Sequence, residues 1–218
     1  MIGRLIIFEG PDNVGRSTHS KLLCNRLEAN GIPTLQIGLA RSDLLGSKIK
    51  QGSREIHDFG PKTRTLLYTT DLVDQVQHKV IPALNAGFVV VADRYKYTPI
   101  IREELRGVDR NWSENNFQFI PTPDKVIILD AGPRRLLNRL IYSGDFIKIN
   151  HYESGMDIGY NNIPTLSFLE YQEKLRKMFR NLAERENMKI VSTKYEIMNV
   201  HNEVWSEVLP IVKDLIVN

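Results

Sequence analysis

Apolar residues in this chain gather into short unbroken runs, separated by longer stretches of helical spacing. The first run, Leu5 to Phe8, shows no alternation, as expected of a strand covered on both faces, and a glycine-containing loop follows it at once. From Ser17 to Ala29 the positions Leu22, Leu23, Arg26 and Leu27 recur at helical spacing, and Gly31 and Pro33 close the element. Thr34 to Ile37 reads as a second strand. Thr63 to Leu84 reads as a long helix ended by Asn85 and Gly87, and Phe88 to Ala92 as another buried strand. Lys125 to Leu129 continues the strand series. Helices are predicted over Pro133 to Tyr142 and Phe168 to Arg185, then a short strand from Lys189 to Val191. A last helix, Val200 to Val217, is interrupted or kinked near Pro210. Strands alternate with helices throughout. That order predicts an α/β fold, doubly wound, with a central parallel sheet of about five strands flanked by helices.

The irregular segments 39–62, 106–124 and 143–165 each follow a core element. They read as insertions around a cleft within a single domain spanning residues 1–218. Composition changes this picture only a little. A hydrophobic fraction of 42% is enough for a sizeable core. A net charge of +3 is too small to argue for nucleic acid and suits a cleft that holds polyphosphate. Cys24 is the only cysteine, which excludes an internal disulfide and points to a reducing, cytoplasmic setting. The run from Met1 to Phe8 is too short for a membrane span and lacks a signal-peptide layout, so no membrane partner is expected. His19, His57, His78, His151 and His201 lack metal-ligand spacing, and no nucleophile-elbow motif is present.

The strongest chemical signal is Gly10-Pro11-Asp12-Asn13-Val14-Gly15-Arg16-Ser17-Thr18, between the first strand and the first helix. Its spacing is that of the phosphate-binding loop G-x-x-x-x-G-K-[ST], with Arg16 where the lysine belongs. Gly10 and Gly15 let backbone N–H groups turn inward around phosphates, and the following helix adds its positive end. Ser17 supplies a hydroxyl for Mg2+, and the cation at 16 is expected to reach the terminal phosphates. Arginine keeps the charge but is larger and planar. The alternative is an ordinary glycine-rich turn; the strand–loop–helix context favours nucleotide phosphate, with Asn13, Val14 and Thr18 completing the cradle.

With the loop in place, the chain resembles the thymidylate kinase family. Leu5 to Asp12 is similar to that family's opening strand and loop, and Ser17-Thr18-His19-Ser20 continues the match. Asp93-Arg94-Tyr95 resembles its D-R-[YF] motif, preceded by Pro82 to Gly87 as at the family's helix end. Tyr152-Glu153 resembles the end of its lid, and Phe168 to Gln172 the start of the helix beyond. The resemblance implies a P-loop nucleoside monophosphate kinase using ATP and Mg2+, small-molecule nucleotides as partners and a homodimer. It implies Asp93 at the metal, with Glu9 assisting there or only ordering the loop. It also implies Arg94 on the acceptor's phosphate and Asp12 on its sugar hydroxyl. Arg41 falls near the family's phosphate-clamping arginine, Thr98 stands for a serine near the base, and Tyr152 ends the lid. Phe59, Tyr68 and Tyr97 could stack on a base or simply pack in the core. Read without the resemblance, Asp93-Arg94 is an ion pair at a strand end.

Several positions depart from the family. Leu72 in Thr69-Thr70-Asp71-Leu72-Val73 stands where an acceptor-contacting arginine belongs. The catalytic arginine that the family supplies from loop or lid is Asn13 in the loop and His151, after Asn150, in the lid. Arg139, on a helix with Arg134 and Arg135, and Lys148 are the candidates left, and that helix face reads equally well as solvated. Residues 152–159, within the lid-like segment of about 142–165, are either a divergent lid or a surface loop. Two functions follow: a kinase making a nucleoside diphosphate, with dTMP the acceptor by resemblance, or a catalytically weak nucleotide-binding regulatory or scaffold protein. The long helix from Thr63 and the segment Thr98 to Leu105 are the candidate dimer surfaces.

Overall fold

The computed structural model describes residues 2–45, 58–144 and 151–216. Five strands are described: β1 (Arg4–Glu9), β2 (Thr34–Gly38), β3 (Val89–Asp93), β4 (Lys125–Asp130) and β5 (Lys189–Ser192). They form one parallel sheet in the order β2-β3-β1-β4-β5. The helices are α1 (Arg16–Ala29), α2 (Pro61–Gln75), α3 (Ile81–Asn85), α4 (Tyr97–Glu104), α5 (Arg110–Asn116), α6 (Pro133–Tyr142), α7 (Pro164–Arg185) and α8 (Ile197–Val212).

β1 shows why its apolar run does not alternate. Leu5 and Ile7 enter one core with Leu72 of α2, Ile101 of α4 and Tyr171, Leu175 and Phe179 of α7. Ile6 and Phe8 enter the other with Leu23 and Leu27 of α1, Leu136 of α6 and Val204 of α8. Every apolar side chain of the strand is therefore buried, as both-face coverage requires. Phe8 pairs with Asp93 on one side and Ile127 on the other, so the loop after β1 opens at the carboxyl edge where the connections diverge. Ligands of open parallel sheets collect there.

Four boundaries differ from the pattern in the sequence. The long helix starts at Pro61, where proline suits the first turn, and passes through a π-helical turn, Val76–Val80, before α3 resumes. Pro82 has no amide hydrogen, and the widened turn lies directly before it. The expected irregular segment 106–124 contains α5, whose N-cap Asp109 accepts a 2.7 Å bond from the Trp112 amide. α7 starts at Pro164 rather than Phe168, and α8 at Ile197, with Pro210 inside it, two residues before its end.

In the candidate dimer segment Thr98 to Leu105, Thr98 through Glu103 are buried within this chain, against α2 and α7, and Glu104 and Leu105 are partly exposed. No helix among the described residues is long and apolar enough to cross a membrane.

Candidate active site

The loop between β1 and α1 has the backbone that its glycines demand. Gly10 has φ 133°, and a Cβ there would lie 2.3 Å from the Leu129 carbonyl oxygen; Gly15 has φ 102° and caps α1. Asn13 also adopts positive φ, at 58°. The first-turn amides of α1, which lack intrahelical partners, open on a cavity of about 560 Å3. Asn13, Ser17 and Thr18 are exposed to it, and Asp12, Arg16, Asp93, Arg94 and Arg139 line it too. Val14 is not among the residues lining it: its side chain is fully buried in the core, so it can serve a ligand through its backbone alone.

Ser17 Oγ donates to Asp93 Oδ2 at 2.5 Å. Burial pushes the Asp93 carboxyl up, but Arg16, this bond, Arg94 and Arg41 outweigh it and hold the group below its ordinary value. Arg41 reaches Asp93 at 3.7 Å from a side chain that is 43% exposed. A hydroxyl beside an ionised carboxylate is a donor set suited to Mg2+, which keeps waters and takes few protein ligands. No group of three His, Cys, Asp or Glu side chains among the described residues forms a closed metal cage.

Arg16 does not point where a loop lysine is expected to point. Its Nε donates to Asp93 Oδ1 at 3.2 Å, its Nη1 to the loop's own Gly10 and Pro11 carbonyls, and its Nη2 lies 3.8 Å from Asp12. The planar fork folds back under the loop, because three carbonyl and carboxylate acceptors fit it better than one would. Burial first, then Arg94, pulls its pKa down to about 10, so it stays charged near neutral pH.

Asp12 is the hub on the other side. Its Oδ1 accepts from Arg94 Nη2 at 2.7 Å, and its Oδ2 accepts from Arg102 and from Gln172 Nε2 at 3.3 Å. Burial pushes this carboxyl up, but Arg102, Arg94 and Arg16 hold it well below the usual carboxylate range. Arg94 adopts φ 71°, unusual for a non-glycine residue, and its buried Nε has no hydrogen-bond partner.

Three expected site residues serve the scaffold instead. Glu9 is fully buried; its carboxylate accepts from the Tyr95 amide at 2.8 Å and from the Thr98 amide and hydroxyl, so it seats the start of α4 and not a metal. Burial pushes its pKa up. Thr98 is consumed by that contact. Tyr152 is 2% exposed: its hydroxyl donates to Glu103 Oε1 at 2.8 Å, and Arg106 stacks 3.7 Å over its ring, with Arg64 and Arg102 farther out. The ring is enclosed by these side chains and is not among the residues lining the cavity. Arg139 also spends its donors internally, on the Asn13 and Val14 carbonyls and on Thr193, tying the loop to the end of β5. Tyr68 is buried near Arg102 and Arg94, and Leu72 is fully buried core. Lys148 and His57 lie outside the described residues.

The sequence reading missed Arg64, Arg102, Glu103, Arg106 and Gln172. Arg64 and Glu103 form a buried pair at 2.8 Å, and Arg106 joins Asp157, Tyr171 and the Tyr152 carbonyl. The one signal available was spacing: Arg102 and Arg106 follow Thr98 at helical intervals.

A glycine-walled loop feeding a helix N-terminus at the carboxyl edge of a parallel sheet defines a P-loop phosphate-binding protein. Comparison with known proteins narrows the class. The thymidylate kinase family model matches residues 8–204. A probable thymidylate kinase of Pyrococcus horikoshii is 28% identical over 214 residues, 94% of this chain and 95% of that protein. Probable thymidylate kinase 2 of Saccharolobus solfataricus is 30% identical over 188 residues, 86% of each chain. The thymidylate kinase of Brachyspira hyodysenteriae is 30% identical over 161 residues, 72% of this chain and 79% of that one. The chain belongs to the thymidylate kinase family.

Proposed function

We propose that this protein is a nucleoside monophosphate kinase that transfers the γ-phosphoryl group of ATP to dTMP, giving dTDP and ADP. The observation that carries the reading is one cavity onto which both halves of the chemistry face. The Ser17–Asp93 pair and the first amides of α1 lie beside Arg94, whose buried Nε is unpartnered. The family relatives supply the acceptor's identity.

In this reading the loop amides and the α1 N-terminus bind the ATP phosphates. Ser17 and Asp93 would hold Mg2+, which would supply charge neutralisation for the ATP phosphates. Arg94, which lines the cavity, clamps the acceptor's phosphate. An oxygen of that phosphate forms a bond to the γ-phosphorus as the bond to the β–γ bridging oxygen breaks, and ADP carries that oxygen away. The oxygen that attacks is already ionised near neutral pH, so positioning and charge stabilisation suffice. Arg16 stabilises from beneath, keeping the Gly10 and Pro11 carbonyls turned away from the phosphates. Arg41 adds a cation beside Asp93.

The reading takes residues 1–218 as one kinase unit with a lid at about 142–165. It also includes a cytoplasmic homodimer through the α2 face that leaves Leu66 exposed. The test is ADP formation with Mg2+ and ATP against dTMP, dUMP, UMP and dCMP. Turnover highest with dTMP is the expected result; binding of ATP and dTMP with no turnover on any acceptor overturns it.

A further inference from the structure

Arg102 is a buried charge with no part in the mechanism above. It sits on α4, its side chain 8% exposed, with Nη2 on Asp12 Oδ2. Asp12 lines the phosphate cavity, whereas Arg102 lies behind it, outside the lining. The carboxylate therefore has a front oxygen, shared with Arg94 at 2.7 Å and Arg16 at 3.8 Å, and a rear oxygen held by Arg102 and Gln172.

This arrangement answers a physical difficulty. An acceptor phosphate that binds Arg94 must come close to Asp12, and two like charges in a low-dielectric site repel strongly. Arg94 alone cannot neutralise both the carboxylate and a phosphate dianion. A cation behind the carboxylate can share the load: it compensates Asp12 from the rear, so the charge of Arg94 on the front oxygen is not spent on the carboxylate alone.

We propose that Arg102 is a positioning residue that sets the anion affinity of the acceptor site, by holding the Asp12 carboxylate from behind so that Arg94 need not compensate that charge alone when it takes the acceptor's phosphate. The inference rests on the kinase reading above and makes a demand that simple packing does not. Removing Arg102 leaves Asp12 facing the phosphate with less compensation, so it penalises the phosphorylated ligand and spares the same ligand without phosphate.

The experiment is calorimetric titration of the whole chain with dTMP and, separately, with thymidine, for wild type and Arg102→Gln. Arg102→Gln is expected to weaken dTMP at least about tenfold while changing thymidine less than about twofold, because partners of buried charge pairs are costly to remove. The double variant Arg102→Gln with Asp12→Asn carries no uncompensated carboxylate and guards against failure of the single variant to fold. It is expected to return the dTMP-to-thymidine affinity ratio to within a few-fold of wild type. Parallel losses for both ligands, no loss for either, or a collapsed ratio in the double variant each overturn the inference and leave the kinase reading standing. A wild-type chain that binds thymidine and dTMP equally overturns the acceptor-phosphate reading itself, and this inference with it.

Discussion

The two sides of the cavity are built on different principles. On the donor side, a short segment of contiguous sequence makes the site. Gly10 and Gly15 set the turn, α1 supplies open amides, and Ser17 meets Asp93 across a single strand pairing. On the acceptor side, charges from distant segments close on one another. Asp12 takes Arg94, Arg102 and Gln172, Arg64 takes Glu103, and Arg106 takes Asp157 and holds the Tyr152 carbonyl. A backbone cradle keeps its shape whether or not a ligand is bound. A web of ion pairs holds its geometry only while every member is present, since each buried charge relies on a partner for its desolvation. Perturbing single residues should therefore damage the acceptor side through stability and the donor side through rate.

The largest effect is expected at Arg64. Its bidentate pair with Glu103, at 2.9 and 2.8 Å, is almost wholly buried, and Arg64→Met leaves that carboxylate without its counter-ion. Breaking a buried pair from one side costs roughly 3–5 kcal/mol. Urea unfolding should show a loss of that size at neutral pH. A loss below about 1 kcal/mol, as is usual for exposed pairs, would mean the web is no more than surface charge and would erase the contrast.

A somewhat smaller effect is expected from acid. Asp12 and Asp93 both titrate below their ordinary values in the fold. Groups depressed in this way contribute stability that is present above the unfolded carboxylate pKa of about 4 and lost as pH falls through the folded values. The Asp12 share is of the order of 2–3 kcal/mol. The difference in unfolding free energy between wild type and Asp12→Asn should be greatest above about pH 5 and shrink steadily on acidification. A difference that does not change with pH would show that the three arginines do not hold Asp12 ionised.

This contrast also explains what could be read from the sequence. The five strands, the loop and the Asp93-Arg94 strand end were legible because each is a local pattern. An unbroken β-branched run, a glycine spacing and a strand followed by a polar pair require no knowledge of distant residues. Arg102 and Gln172 were not legible, because Asp12 meets them only after α4 and α7 have packed, at separations of 90 residues for Arg102 and 160 for Gln172, and Glu103 meets Arg64 only once α2 and α4 have packed. The same blindness touches Glu9, Thr98 and Tyr152, whose places at the site came from the family resemblance and, for Glu9, with loop ordering as the stated alternative. In the fold each one satisfies a buried partner, as interior polar groups must. Arg16 is an intermediate case: its charge was legible, and its direction depended on which acceptors the loop presented.

The smallest expected effect is the sharpest test of where the acceptor side ends. Tyr152→Phe removes one hydroxyl, which donates to Glu103 at 2.8 Å, and keeps the ring between Arg106 and Arg64. One hydrogen bond to a charged, buried acceptor contributes about 1.5 kcal/mol, with the stacking left intact. The variant should lose about that much stability, while its KM for dTMP stays within about twofold, because a ring enclosed by three arginines has no surface left for a nucleotide. If KM instead rises tenfold with stability unchanged, Tyr152 leaves its enclosure when the acceptor binds. Residues 151–158 would then open as a lid that the Arg106–Asp157 pair holds shut in the free chain, and the acceptor side would be a moving part and not a fixed web of charge.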